Sequence, residues 1–164
     1  MTNIRELQVN DNPQYRALWL NAITKHEEFF RTSIEDNSEP NIPTEFSDDS
    51  FTLGAFINGE LVGILSLMRD SKVKIQHKAL LFGMYVEPSK ANKGLGKELL
   101  HEIISRAKIN HSIKQLYLTV LASNERARNL YTSLGFSVFA HEPQSVKILD
   151  NYIDEYQMVL FVEK

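Results

Sequence analysis

The spacing of apolar and polar residues along the chain predicts an alternation of strands and helices. Residues 4–9 have the pattern of a short strand, and apolar residues between positions 13 and 30 recur at helical spacing, which predicts one or two helices. The stretch at 35–50 is polar and acidic and contains two prolines, so it predicts a surface loop or a lid.

The next segment predicts a hairpin followed by a central strand. Asn58-Gly59 lies between two apolar runs, and both residues tolerate the positive φ that a two-residue hairpin turn requires. The run at 78–86 is almost continuously apolar, as expected of a strand that is covered on both faces. Gly83 within this run predicts a bulge or a close backbone neighbour.

The second half of the chain predicts two helices placed between further strands. Apolar residues recur at four-residue intervals from Leu95 to Ala107, which predicts an amphipathic helix of about four turns, and Gly135 predicts the C-cap of a second helix. The later apolar runs predict three strands, at residues 114–121, 137–141 and 155–164. The second helix is predicted at residues 124–136. We therefore expect an α/β (α+β) fold with one mixed sheet of about seven strands and helices on both faces.

Composition and charge narrow the classes of function. A length of 164 residues with 43% hydrophobic residues suits a single domain over residues 1–164. A formal charge of -3 does not indicate a nucleic-acid or membrane-surface partner. The absence of cysteine excludes disulfides and thiolate sites, and the five histidines lack metal-ligand spacing, so we expect no metal. With neither a signal-peptide pattern nor a long apolar run, we expect a cytoplasmic protein.

The turn after the central strand has the features of an anion site. Gly94 and Gly96 stand at the start of the predicted helix, where unpaired backbone N–H groups and the helix dipole favour an anion. Lys90, Lys93 and Lys97 add positive charge around this turn. A phosphate or a pyrophosphate is the expected ligand.

Two common phosphate-binding loops do not fit this turn. A Walker A loop needs glycine and a hydroxyl residue where Ala91 and Glu98 stand, so nothing here offers a hydroxyl to magnesium. A dinucleotide fingerprint needs a third glycine where Leu99 stands. From the N–H groups alone, a generic nucleotide or phosphate-ester binder stays open.

Two motifs instead resemble the GCN5-related N-acetyltransferase (GNAT) family, in its bacterial form. VEP at 86–88 and ANKGLG at 91–96 are similar to the family's acetyl-CoA loop, although Ala91 stands where the family has Arg or Gln. NERARNLYTSLGF at 124–136 matches the second motif, Asn-x-x-Ala-x-x-Leu-Tyr-x-x-x-Gly-Phe, at every fixed position. The resemblance implies the GNAT fold, with a largely antiparallel, twisted sheet and two central strands that splay apart.

The resemblance implies acetyl-CoA as the co-substrate, with its pantetheine arm between the splayed strands. Main-chain groups of Met84 and Val86 would bind the arm, Met84 N–H would act as an oxyanion donor, and Asn124 would hold the arm from the other side. The full cofactor-binding set implied in this way is Met84, Tyr85, Val86, Ala91, Asn92, Lys93, Gly94, Leu95, Gly96, Lys97, Asn124 and Tyr131.

The resemblance also implies an N-acetyltransferase that acts on a primary amine of a small molecule or a peptide, by direct attack in a ternary complex. Tyr131 matches the family's general acid and lies seven residues after Asn124, so both side chains share one face of the helix. By its position alone, Tyr131 could equally pack against the sheet. The alternative function is a non-catalytic CoA-binding or sensing module on the same fold.

The acceptor side of the site stays open at this stage. Glu28 is our candidate base because the early helix borders the acceptor site in the family, and a chain of waters could do the same work. Other candidate bases are Glu27, His141, Tyr152, Asp154 and Glu155. Trp19, Phe29 and Phe30 could line an apolar acceptor pocket, although core positions are favoured for Trp19 and Phe30. The sequence does not give the oligomeric state, and the resemblance allows a homodimer, since dimers are frequent in the family.

Overall fold

The computed structural model describes residues 1–162, and for Asn92 only the backbone. Within these residues, seven strands form one sheet. The strands and helices, in chain order, are β1 (Thr2–Glu6), α1 (Asn12–Lys25), β2 (Ser50–Ile57), β3 (Glu60–Arg69), β4 (Lys78–Val86), α2 (Leu95–Ile109), β5 (Gln115–Leu121), α3 (Glu125–Ser133), β6 (Ser137–Ile148) and β7 (Asn151–Phe161). Short 3-10 turns lie at Val9–Asp11, Glu27–Phe29 and Pro88–Lys93. Residues 163 and 164, which the sequence predicts in the last strand, lie outside the described residues.

The order of strands in the sheet is β1-β2-β3-β4-β5-β7-β6, and every neighbouring pair is antiparallel except β4 and β5. The parallel β4–β5 ladder joins only residues 78–80 to residues 115–117. Because β4 continues to Val86 and β5 to Leu121, the two strands run on without pairing to each other. This confirms the mixed, largely antiparallel sheet and the splayed central pair.

The predicted hairpin is present between β2 and β3. Asn58 has φ of 50° and Gly59 has φ of 84°, and the two residues connect the paired positions Ile57 and Glu60. Positive φ at both central positions gives the turn a twist that matches the right-handed twist of the strands. The Asn-Gly pair therefore fixes the register of this hairpin.

Gly83 lies in a bulge of β4, as the sequence predicts. The register shifts between the pairs Ile64–Tyr85 and Ser66–Phe82, so β4 has one more residue than β3 in this interval. Gly83 has φ of 64°, and a Cβ built on it would have no atom within 4 Å. The backbone angle, and not a close neighbour, is therefore the reason for glycine here.

The sheet is covered on both faces, which confirms the predicted arrangement of helices. On one face, Leu99 and Ile103 of α2 belong to a core cluster that also contains Tyr131 of α3. On the other face, Leu18 and Ala22 of α1 belong to a second cluster. We refer to these faces as the α2 face and the α1 face.

The C-terminal hairpin is longer than the sequence predicts. The expected boundaries at 141 and 155 are wrong, since β6 extends to Ile148 and β7 begins at Asn151. β6 is an edge strand with mostly exposed side chains, so burial imposes little apolar alternation on it. Its proline lies in an interval where the register shifts, and Gln144 there has φ of 53°. A proline at an edge-strand irregularity does not interrupt the sheet.

The N-terminal boundaries also differ from the prediction. β1 covers Thr2–Glu6 and not 4–9. Leu7 still donates its N–H to Thr52 O of β2 at 2.8 Å and packs in the α1-face core at 1% exposure, and the chain leaves β2 after this residue. Val9 is 61% exposed and begins a 3-10 turn. The apolar residues from 13 to 30 divide between α1 and the turn at Glu27–Phe29, as the option of two helices allows.

Replacement of Leu99 by alanine tests whether α2 is held by its packing on the sheet. Leu99 is 0% exposed, so L99A should lower the free energy of unfolding by about 2–5 kcal/mol, through lost burial and the cavity left behind. Urea unfolding measures this change. H101A, on the exposed side of the same helix, should change it by less than about 0.5 kcal/mol. A loss below about 1 kcal/mol for L99A would contradict this account of the core.

Candidate active site

A cavity of about 1060 Å³ lies where β4 and β5 separate. Its walls include the residues of β4 from Leu80 to Val86 and those of β5 from Leu118 to Leu121. A volume at the upper end of the usual range for small-molecule sites, roughly 300–1,000 Å³, accommodates a large ligand or two ligands together. The gap between the strands is therefore a candidate site for a large ligand.

The cavity is lined from both faces of the sheet. Gly96 of α2 and Tyr131 of α3 line it from the α2 face, while Trp19 of α1 and Phe30 line it from the α1 face. Strands that remained paired would close this passage. Two molecules that enter from opposite faces can therefore meet between β4 and β5.

The N-terminus of α2 forms one end of the cavity. Gly94 precedes the helix with φ of 75°, in the left-handed region, and directly follows the 3-10 turn at Pro88–Lys93. Glu98 N donates to Gly94 O at 3.1 Å, so the amides before Glu98 lie in the first helical turn, where no residue four positions back is helical. Gly94, Gly96 and Lys97 line the cavity. The predicted anion site thus lies at the cavity wall.

Glycine is needed at the two positions of this turn for different structural reasons. A Cβ on Gly94 would meet nothing within 4 Å, so glycine is required there by its positive φ. A Cβ on Gly96 would lie 2.8 Å from Met84 Cε and 3.3 Å from Leu130 Cδ2. The absence of a side chain at Gly96 therefore leaves space for the Met84 side chain, and the Gly96 backbone is not shielded by a side chain of its own.

Tyr131 places its hydroxyl beside Met84 in this cavity. Tyr131 is 8% exposed, and its ring packs edge-on against the Phe136 ring with centroids 5.9 Å apart. Its hydroxyl donates a hydrogen bond to Met84 Sδ at 3.4 Å. Burial raises the pKa of Tyr131 above its usual value, so the phenol keeps its proton at neutral pH. A thioether is a weak hydrogen-bond acceptor, so the Met84 sulfur contributes little to retaining the phenol proton of Tyr131.

Asn124 also lines the cavity, but its side chain has a structural role. Its Oδ1 accepts a hydrogen bond from Ala127 N at 3.2 Å and so caps the N-terminus of α3. This cap sets where the helix begins and thus where Tyr131 lies, two turns later. The Asn–Tyr spacing of the sequence motif consequently has a physical basis in the helix itself.

Aromatic side chains form the wall on the α1 face. Trp19 and Phe30 meet edge-on with centroids 5.3 Å apart, Phe30 lies 5.9 Å from Tyr85, and Phe29 is 41% exposed. His26 lies 6.0 Å from the Tyr85 ring. Trp19 and Phe30 pack against the α1-face core, as the sequence favours, and also line the cavity. That an acceptor binds at this wall stays a prediction.

The structure brings most of the predicted site residues to one place. Those that line the cavity are Met84, Tyr85, Val86, Ala91, Gly94, Gly96, Lys97, Asn124 and Tyr131. Leu95 is 1% exposed in the core, and Lys93 is exposed and does not belong to the lining. The side chain of Asn92 lies outside what is described.

The carboxylates predicted as candidate bases separate into two groups. Glu28 is 55% exposed, lies 4.0 Å from His26, and does not belong to the lining of the cavity, so its role as a base stays a prediction. Glu155 of β7 does line the cavity and is 3% exposed. Arg31, which also lines the cavity, was not singled out from the sequence, where nothing distinguishes it from other surface arginines. Glu155 is one of the candidate bases named from the sequence, where no pattern distinguishes it from Asp154 beside it.

Within residues 1–162, no group of three or more His, Cys, Asp or Glu side chains could hold a metal ion. Among the same residues, no helix is long and apolar enough to cross a membrane.

Comparisons with known proteins agree with this geometry. The model of the Acetyltransferase (GNAT) family matches residues 12–136. The peptidyl-lysine N-acetyltransferase YiaC of Escherichia coli is 25% identical over 135 residues, which is 82% of this chain and 83% of YiaC. The structure of an acetyltransferase of the GNAT family from Streptococcus pneumoniae superposes with a TM-score of 0.85 at 26% identity, covering 99% of this chain and 100% of that one. The structure of yncA from Salmonella typhimurium, solved with its cofactor acetyl-CoA, superposes with a TM-score of 0.81 at 20% identity. The superposition covers 100% of this chain and 95% of yncA.

The Tyr131 hydroxyl should contribute little to stability, because its hydrogen-bond partner is a thioether. Y131F should therefore lower the free energy of unfolding by less than about 1 kcal/mol in urea titrations. T52V is the matched control, since the buried Thr52 hydroxyl lies 2.8 Å from both the Thr44 and Ser66 hydroxyls. Its removal leaves buried polar groups short of partners and should cost about 1–3 kcal/mol. A loss for Y131F as large as that for T52V would show that Tyr131 is primarily structural.

Proposed function

Because this chain belongs to the GNAT acetyltransferase family, we propose that it transfers an acetyl group from acetyl-CoA to a primary amine of a small molecule or a peptide, by direct attack in a ternary complex. The observation that carries this proposal is the single cavity that passes between β4 and β5 and is lined from both faces of the sheet. The names of two relatives support it, since YiaC is a peptidyl-lysine N-acetyltransferase and yncA was solved with acetyl-CoA.

The residues present fit acetyl-CoA. Beyond Leu80, the β5-facing edge of β4 has no strand partner, so its N–H and C=O groups can bind an extended chain as a missing strand would. The N-terminal amides of α2 and the Lys97 ammonium suit a pyrophosphate. Ala91 lacks the side chain that the family has there, but main-chain amides supply most of this site. When bound, acetyl-CoA supplies the acetyl thioester for the reaction.

Three groups of this chain have roles in the proposed chemistry. Met84 and Val86 hold the pantetheine arm through their backbone, and Met84 N–H donates to the acetyl carbonyl oxygen. Tyr131 is the general acid, because its buried phenol keeps a proton and faces the cavity beside Met84. Its proton goes to the departing thiolate.

Binding of coenzyme A is the first test of this proposal. A ligand at about a hundred times its Kd adds about 2.7 kcal/mol of stability, which for a chain of this size raises Tm by roughly 5–10 °C. Thermal melts with coenzyme A should show this rise, and melts with ADP at the same concentration should show a smaller one. An unchanged Tm with coenzyme A would contradict the proposal, and equal shifts would indicate a generic nucleotide binder.

Replacement of Tyr131 by phenylalanine separates a catalyst from a sensor. Y131F should lower kcat by about 10²–10⁴-fold with the Kd of acetyl-CoA unchanged, because only proton transfer is lost. Release of coenzyme A is measured with a panel of polyamines, aminoglycosides, amino acids and peptides bearing free amino groups. Y117F is the control and should retain full turnover, because the Tyr117 hydroxyl donates to Asp70 Oδ2 at 3.0 Å and Tyr117 does not line the cavity. Turnover by Y131F at the wild-type rate would exclude the acid role, and no turnover by wild type with any amine would favour a sensor.

A further inference from the structure

A buried carboxylate faces the acceptor side of the cavity. Glu155 lies on β7 opposite Leu121 of β5 and is 3% exposed. Its neighbours Tyr156 and Met158 mark the orientation of the strand, since Met158 belongs to the α2-face core and Tyr156 packs against it. Because side chains alternate along a strand, Glu155 points to the α1 face, where Trp19 and Phe30 line the cavity.

Two side chains contact the buried Glu155 carboxylate, and one of them reaches it from solvent. Ser145 of β6 donates a hydrogen bond from its hydroxyl to Glu155 Oε1. Arg31 Nη2 lies 3.4 Å from the same oxygen, and the side chain of Arg31 is 62% exposed. The arginine end of this ion pair is exposed, so the guanidinium can return to water when another cation takes its place beside the buried carboxylate. Arg31 is therefore a counter-ion that another cation can replace.

The lining of the same cavity indicates which kind of cation fits. Trp19, Phe29 and Phe30 supply aromatic surface to the same cavity, with Tyr85 and His26 beside them. Aromatic faces attract cations and pack against apolar groups. A primary ammonium group on an apolar stem satisfies both features, with the stem on the aromatic wall and the ammonium at the carboxylate.

We infer that Glu155 is the acceptor anchor of this enzyme, which binds the ammonium group of a primary amine on an apolar stem in place of Arg31 and takes up its proton. The inference rests on the proposed function and names the acceptor class and the base. The ammonium gives one proton to the Glu155 carboxylate, and the freed lone pair forms the N–C bond as the C–S bond breaks. The thiolate takes the Tyr131 proton, the second amine proton restores Tyr131 through solvent, and Glu155 releases its proton to solvent.

Calorimetric titration with 2-phenylethylamine tests this inference, with and without saturating coenzyme A. Wild type should bind this amine, and E155Q should bind it at least tenfold more weakly with its Kd for coenzyme A unchanged. The glutamine keeps the shape of the side chain and can still accept from Ser145, so E155Q should fold normally. E142Q is the matched control, because Glu142 is exposed and also lies within hydrogen-bond distance of the Ser145 hydroxyl, at 2.7 Å, but does not line the cavity. Its affinity for the amine should stay within twofold of wild type.

A second variant tests the same inference without altering the buried carboxylate. R31Q removes the competing cation and should bind 2-phenylethylamine about two- to fivefold more tightly. L-Phenylalanine, which adds a carboxylate beside the same ammonium, should bind more weakly than 2-phenylethylamine to wild type.

Several results would overturn the inference. The first is no binding of 2-phenylethylamine by wild type, and the second is a Kd of E155Q for this amine within twofold of the wild-type value. The third is weaker binding of the amine by R31Q than by wild type. The fourth is tighter binding of L-phenylalanine than of 2-phenylethylamine by wild type, which would make Arg31 an anchor for an anion. Failure to bind coenzyme A would instead contradict the proposed function. The amine titration without coenzyme A would still test Glu155 in that case.

Discussion

The separation of two neighbouring parallel strands is the constraint on which the rest of this structure depends. β4 and β5 share three residue pairs and then diverge, which leaves backbone N–H and C=O groups in the middle of a sheet without strand partners. Such groups are costly to bury unless something binds them. The bulge at Gly83 and the start of α2 both lie next to the gap, and the cavity follows from this divergence.

The same gap divides the proposed chemistry between the two faces of the sheet. In that proposal, the helix terminus and the Tyr131 phenol on the α2 face supply amides and a proton, and packing of Gly96 against Met84 holds these parts together. Aromatic rings and one buried carboxylate line the cavity on the α1 face, where the proposal places the acceptor. A ternary complex needs both compartments to open into each other, and a fully paired sheet would not allow it.

The sequence predicts the parts of this structure that local physical chemistry determines. The Asn58-Gly59 turn, the bulge at Gly83 and the amphipathic α2 each depend on residues within one element, and all three are confirmed. The ends of β6 and the burial of Glu155 depend instead on which strands lie beside them. An exposed edge strand carries little apolar pattern, and a glutamate becomes a buried group only once β5, β6 and β7 are paired. Glu28, chosen from its place on an early helix, lies exposed outside the cavity lining, which no local pattern indicates.

A crystal structure of this protein with coenzyme A tests the central claim most directly. The account predicts that the pantetheine arm lies between β4 and β5, bound to the free edge of β4, and that the diphosphate accepts hydrogen bonds from the amides at residues 94–97. A diphosphate bound elsewhere, or β4 and β5 paired beyond Leu80 so that the gap is closed, would contradict it.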